Sequence, residues 1–318
     1  MEMPPAVAAM RWERVYDGTI FPRADVQALA VDPQDPSIVY AATGPTTWGG
    51  GTGSGIYKST DGGETWQFVS ADLPRQSFSA LITDPYDSQI VYAAPVGEQI
   101  YKSTNGGETW ELLRGSPRVR NWNAVGNFGV DMADSQHIYY FDSEHLYETV
   151  DRGESWQVLS VPCEGWTFVV DPENGKHLFI SCWNQQRTQN LGESWDGGRT
   201  WNLLDFLTPA DILSLVVAPG SPGVLYAHYE SGLAKSIDGG RTWSYLRESG
   251  ARSALAVHPA NPDTVILGQP SQWGGGSIER SLNGGVTWET VGWADGGTNT
   301  IQFAPSDPRF VYLGAAGV

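Results

Sequence analysis

The chain has 318 residues and a formal net charge of −17, with 36 acidic against 19 basic residues. Such a surplus repels nucleic-acid phosphate and anionic membrane surfaces, so nucleic acid is excluded as a partner class. No apolar run reaches the length of a membrane span, and the two cysteines, Cys163 and Cys182, exclude a disulfide framework and a four-cysteine metal site while leaving one bridge open.

The opening MEMPPAVAAM has neither a basic segment nor a long apolar core. Residues 1–10 therefore read as a flexible lead without an export signal, which favours a cytoplasmic setting. RWERVY (11–16) has the pattern of a strand opening at a tryptophan, as TWQFVS (65–70) does. From residue 29 a unit then recurs. LAVDPQDPSIVYAAT (29–43) is an apolar strand, an Asp/Pro turn and a second apolar strand, and seven such hairpins follow one another, the last being IQFAPSDPRFVYLGA (301–315). Six of them run into a box: STDGGETW (59–66), STNGGETW (103–110), TVDRGESW (149–156), SWDGGRTW (194–201), SIDGGRTW (236–243) and SLNGGVTW (281–288). No segment of 12 or more residues carries a helical period.

Each unit reads as four strands: one before the Asp/Pro turn, one after it, one entering the box and one leaving it at the tryptophan. A 42–46-residue spacing of four-stranded units is the mark of propeller blades. The expectation is an all-β chain, residues 1–318 forming a single seven-bladed β-propeller. RWERVY supplies the outer strand of the seventh blade and closes the ring, and that last blade, ending at YLGAAGV, is incomplete.

Within the box, glycine admits the positive φ that a sharp turn needs, and a short Asp or Asn side chain accepts hydrogen bonds from its own turn. Asn105 and Asn283 replace the carboxylate in two copies, so the box needs the oxygen rather than the charge and is structural, not catalytic. Asp/Pro turns such as Asp32–Asp35 and Asp84–Asp87 are read as turn caps in preference to calcium loops. The five histidines are scattered without ligand spacing, so neither a metal nor another cofactor is expected.

These boxes resemble the Asp-box, or bacterial-neuraminidase, repeat carried by sialidases, xyloglucan hydrolases, sortilin-type receptors and photosystem II assembly-factor-like propellers. The resemblance implies a β-propeller without choosing among those functions. Sialidases imply six blades and a Phe/Tyr-Arg-Ile-Pro motif, from which FPRADV (21–26) departs. Xyloglucan hydrolases imply a cleft between two propellers and an acid after an early V-Y-A strand. Here that strand runs into Ala41, Ala42, Thr43 and Gly44, and one propeller fills the chain. Sortilin-type receptors imply cysteine-rich appendages, which two cysteines do not supply. The assembly-factor-like group implies a single seven-bladed ring of this length that binds proteins.

Strand alternation puts boxes and Asp/Pro turns on one face, leaving the other face for function. Trp48, Trp122, Trp166, Trp183 and Trp273 fall in or beside loops of that second face, where indole rings suit stacking on sugars. Trp293 is placed with them. Asp25, Glu164, Asp211 and Glu230 are the acid/base candidates, and Arg23, Arg75 and Arg252 are the residues to orient a substrate. The expected function is binding or cleaving a glycan, by hydrolysis or elimination if it is an enzyme. The alternative is a protein-interaction scaffold.

Overall fold

The computed structural model describes residues 24–45, 55–74, 77–119, 128–183, 190–208, 210–250, 254–269, 275–294 and 296–315. All regular structure among them is β. In the first blade the strands Ala24–Val31, Val39–Pro45, Gly55–Ser59 and Gln67–Phe68 pair in sequence order, each antiparallel to the next. Five further four-stranded sheets repeat this order.

The inner strands Ala24–Val31, Phe78–Thr83, Phe128–Asp131, Phe168–Asp171, Ile212–Val217, Ala254–His258 and Thr298–Phe303 touch one another in sequence order, and the last touches the first. The described chain is therefore a closed β-propeller with six complete blades, not the seven expected. The remaining sector holds a two-stranded sheet, Thr298–Phe303 with Val311–Ala315. The segment expected to supply the outer strand, residues 11–16, and the lead 1–10 lie outside the described residues.

The core lies between blades. Second strands such as Val91–Pro95 and Leu225–Tyr229 are buried along their whole length because sheets cover both of their faces. Several clusters join neighbouring sheets around a box tryptophan: Trp110 packs with Tyr40 and Phe78 of blades one and two, and Trp243 with Phe179 and Tyr229 of blades four and five. The Trp110 Nε1–H donates across the seam to the Val69 carbonyl at 2.7 Å. Register shifts near the start of the inner strand recur at Val26/Ala28, Phe78/Ala80, Ile212/Ser214 and Thr298/Thr300. Such bulges bend the strand where it leaves the sheet on the loop face.

Candidate functional site

The box face is built as the repeats imply. In the fifth blade Ser236 Oγ donates to Asp238 Oδ1 at 2.8 Å and accepts the Gly240 N–H at 2.9 Å. Asp238 then accepts the Thr242 N–H at 2.8 Å and the Thr242 hydroxyl at 2.6 Å, while Trp243 Nε1–H donates to the Gly240 carbonyl. Gly240 sits at φ +83°, and an added Cβ would stand 2.7 Å from Leu191 Cδ2, so only glycine fits. In the second box Asn105 Oδ1 takes the Thr109 N–H and its Nδ2 donates to Thr109 Oγ1, which shows why an amide serves as well. Hydrogen bonds from the box threonine hold the Asp61, Asp196 and Asp238 carboxyls down at about 2. The Asp/Pro turns are capped likewise: Asp32 Oδ1 accepts the N–H groups of Gln34 and Asp35.

On the opposite face the fourth and fifth blades bring four of the candidates to one corner. Trp166 precedes the inner strand Phe168–Asp171, Trp183 follows the second strand Asn174–Ser181, and Asp211 precedes the inner strand Ile212–Val217. The indole rings of Trp166 and Trp183 lie with centroids 6.3 Å apart at 56°. Trp166 Nε1–H donates to Asp211 Oδ2 at 3.2 Å. Glu164, exposed, accepts the Trp183 N–H on its carbonyl at 2.6 Å. Asp211 is 6% exposed and its Oδ1 has no hydrogen-bond partner. Burial pushes its carboxyl above the ordinary aspartate value, and the Trp166 N–H only partly opposes this. Trp183 is 49% exposed, so the corner combines an open aromatic surface with a carboxyl inclined to keep its proton.

Residues that the motifs did not flag hold this corner together. Ser181 Oγ accepts the N–H groups of Trp166 and Thr167, both at 2.9 Å. Asn190 Nδ2–H donates to the Ala210 carbonyl, tying the fourth blade to the residue before Asp211. The Ser143 carbonyl of the third blade takes the Gly165 N–H, with Ser143 itself at φ +79°. Gly165 lies so close to Ser181 that a Cβ would fall 1.7 Å from the Ser181 carbonyl oxygen. Cys163 and Cys182 form a disulfide across the same two segments. A bridge was open from the cysteine count, and no serine, asparagine or glycine here carries a local motif that would mark it.

The other candidates do not join this corner. Asp25 is buried on the first blade's inner strand opposite Gly44, and Glu230 is exposed in the turn between Leu225–Tyr229 and Gly232–Ser236. Trp293 lies not in a loop but on the outer strand Glu289–Ala294, 77% exposed. Arg23, Arg75, Arg252, Trp48, Trp122 and Trp273 lie outside the described residues. The histidines prove partly structural: His177 is stacked on Trp195 and bridges Asp171 (2.7 Å) and Glu193 (3.3 Å), both carboxylates buried, and Arg241 of the next box reaches Glu193 at 3.3 Å. His137 and Glu148 repeat the arrangement one blade earlier, with Arg199 on Glu148. Among the described residues no group of three or more His, Cys, Asp or Glu side chains is arranged to hold a metal. No helix among them is long and apolar enough to cross a membrane.

The fold and the repeated boxes define an Asp-box β-propeller, and residues 57–68 match the BNR/Asp-box repeat family. The propeller resembles xyloglucan hydrolases: a xyloglucanase of Paenibacillus sp is 29% identical over 306 residues, covering 86% of this chain and 27% of that protein. The chain spans only 27% to 37% of the length of the curated relatives it matches. A GH74 xyloglucanase from Xanthomonas campestris superposes with a TM-score of 0.73 at 18% identity, covering 92% of this chain and 51% of that one. YCF48 bound to a D1 peptide superposes with a TM-score of 0.65 at 18% identity, covering 93% and 92%. The structural likenesses, at these identities, concern the fold.

Proposed function

We propose that the protein acts on a glycan at the Trp166–Trp183–Asp211 corner of the loop face, with xyloglucan-type oligosaccharides as the first substrate class. The observation that carries this is a half-exposed indole pair set beside a buried carboxyl with a raised pKa. Indole faces stack on the apolar faces of sugar rings, and a carboxyl whose pKa is raised by burial is suited to protonate a leaving glycosidic oxygen. The xyloglucanase relatives supply the substrate class. Glu164 is the nearest second carboxylate along the chain, and Arg23, Arg75 and Arg252 with Trp48, Trp122 and Trp273 extend the proposed surface. Asp25 and Glu230 stay acid/base candidates at a separate place on that face. The disulfide fits an oxidising compartment, and nothing in the structure supports the cytoplasmic setting expected from the chain start.

The test is calorimetry with xyloglucan oligosaccharides, together with mass spectrometry of products from a panel of neutral and acidic polysaccharides. Binding lost in Trp183→Ala is the expected result. Products that gain water in the wild type and vanish in Asp211→Asn, with binding kept, would make the corner hydrolytic, and unsaturated products would make it a lyase. Wild-type affinity unaffected by Trp183→Ala would remove the corner from the function. A second reading, a protein-binding scaffold, rests on the matched length of the YCF48 structure and gains if no glycan binds.

A further inference from the structure

The sheet of the fourth blade ends, on the loop face, at the pair Phe168↔Ile180. Beyond it the two segments that carry the indoles leave the sheet as connections: residues 163–167 lead in, and residues 182–183 lead out after Ser181, which still pairs with Leu191. Their mutual contacts are few and consecutive. Ser181 N–H donates to the Thr167 carbonyl at 2.9 Å, Ser181 Oγ takes two N–H groups, and Trp183 N–H reaches the Glu164 carbonyl. The remaining link is the Cys163–Cys182 bond, with a Cα separation of 5.4 Å. Each cysteine lies one residue before a site residue: Cys163 before Glu164 and Cys182 before Trp183. The bridge thus sits at the root of both arms of the indole pair. Through Trp166 Nε1 it also bears on the one recorded hydrogen bond to the Asp211 carboxyl.

We propose that the Cys163–Cys182 disulfide is a positioning element of the loop-face site, and that its reduction by a dithiol releases the Trp166–Trp183 pair and disables the site while the propeller stays folded. Cys182 is 2% exposed, whereas Cys163 is only partly buried, at the edge of the cluster that holds Ile180, so a small thiolate has a route to the Cys163 sulfur. In that exchange the reductant's thiolate bonds to Cys163 Sγ as the Sγ–Sγ bond breaks. Cys182 leaves as a thiolate and takes up a proton, and the reductant's second thiol then displaces Cys163 as a thiol. Two electrons pass from the dithiol, which ends as a cyclic disulfide. The core clusters between the other blades contain no cysteine, so the ring does not depend on the bridge for its closure.

The functional half of this inference rests on the glycan reading above; the positional half does not. The indole N–H resonances of the full-length 15N-tryptophan-labelled protein are recorded oxidised and after dithiol reduction, with two free thiols confirmed by titration. Trp166 is assigned through Trp166→Phe, and its link to the carboxyl through Asp211→Asn. The expected result is that the Trp166 and Trp183 signals move on reduction while the box tryptophans do not. The pH-dependent shift that Asp211 imparts to Trp166 disappears, and xyloglucan-oligosaccharide affinity falls at least tenfold. Cys163→Ser/Cys182→Ser in one chain should reproduce the reduced state without reductant. Unmoved Trp166 and Trp183 signals in the reduced protein would overturn the positioning role, whatever the glycan does. Movement of all the box tryptophans would overturn it too, because the bridge would then hold the fold rather than the site. If the two signals move as expected but the oxidised protein binds no oligosaccharide, the positional half stands and the glycan reading fails.

Discussion

The two faces of the ring use the same residue types, serine, aspartate and tryptophan, to opposite electrostatic ends. In a box the carboxyl is surrounded by donors from its own turn: Asp238 takes the Ser236 hydroxyl, the Thr242 N–H and the Thr242 hydroxyl. Its pKa falls to about 2 and its charge is stable. In the loop-face corner Asp211 is buried, has one recorded donor from another blade's connection, and its pKa rises. The tryptophans invert as well. Box indoles give their N–H to backbone carbonyls, as Trp66 does to Gly63 and Trp288 to Gly285 in their own turns and Trp110 to Val69 across the seam, whereas Trp166 spends its N–H on a carboxyl 45 residues away. An arrangement that satisfies each group within eight residues can be copied around a ring. A buried carboxyl whose donor comes from another blade depends on its neighbours rather than on its own turn, and it is there that chemistry is available.

The largest test of this contrast is to make a well-partnered carboxylate resemble Asp211. His177 is the link between Asp171 and Glu193, both only 2% exposed at the side chain. His177→Ala should cost about 3–5 kcal/mol, because it removes the shared partner of two buried carboxylates, leaving the Glu173 N–H on Asp171 and Arg241 on Glu193. Urea denaturation at neutral pH measures it, and a loss under about 1 kcal/mol would mean that buried carboxylates here need no partner. Next in size is Trp166→Phe, which keeps the ring and removes the one recorded donor to Asp211. It should cost about 1–3 kcal/mol at neutral pH. The sign with pH follows from the raised folded-state pKa: protonated Asp211 is favoured in the fold, so stability is complete below the unfolded value, near 3.9, and is lost as pH rises through the folded value. The penalty of Trp166→Phe should therefore shrink in acid, and a penalty independent of pH would break the assignment of a charge to its cause.

Much of the ring was legible because repetition turns local rules into architecture. Asn105 and Asn283 alone told that the box is a turn and not a site, and the hydrogen bonds of Asn105 show the reason. The blade count was less legible: the seventh sector depends on residues 11–16, and the described strands there number two. The loop face was legible in type and not in grouping. Trp166, Trp183, Glu164 and Asp211 stood out as aromatic and acidic residues in connections, but their meeting depends on the cross-blade bond of Asn190 to Ala210 and on the close approach that Gly165 permits. Asp25 looked equivalent to Asp211 as a carboxylate at the start of an inner strand, yet it lies in another blade, and Glu230 is exposed in the turn after its second strand, where its sequence position put it. The His177 bridge was invisible because His177, Asp171 and Glu193 come from three different strands and carry no common spacing.

The smallest effect sharpens the contrast from the other side. Asp238→Asn should shift the melting temperature at pH 7 by no more than about 1 °C, because Asn105 shows an amide making the same turn. The difference should appear in acid. A carboxyl whose folded-state pKa is depressed contributes stability that is present above the unfolded value, near 3.9, and lost as pH falls through the folded value of about 2. Asp61 and Asp196 share that value, and Asp151 is lowered by its Ser155 bonds. Replacing all four by asparagine should therefore flatten the fall in melting temperature between about pH 4 and 2, while leaving the neutral plateau in place. A wild-type acid limb that survives the fourfold change would move the acid sensitivity away from the boxes. The box carboxylates would then be as electrostatically silent as the asparagines that replace them in blades two and six.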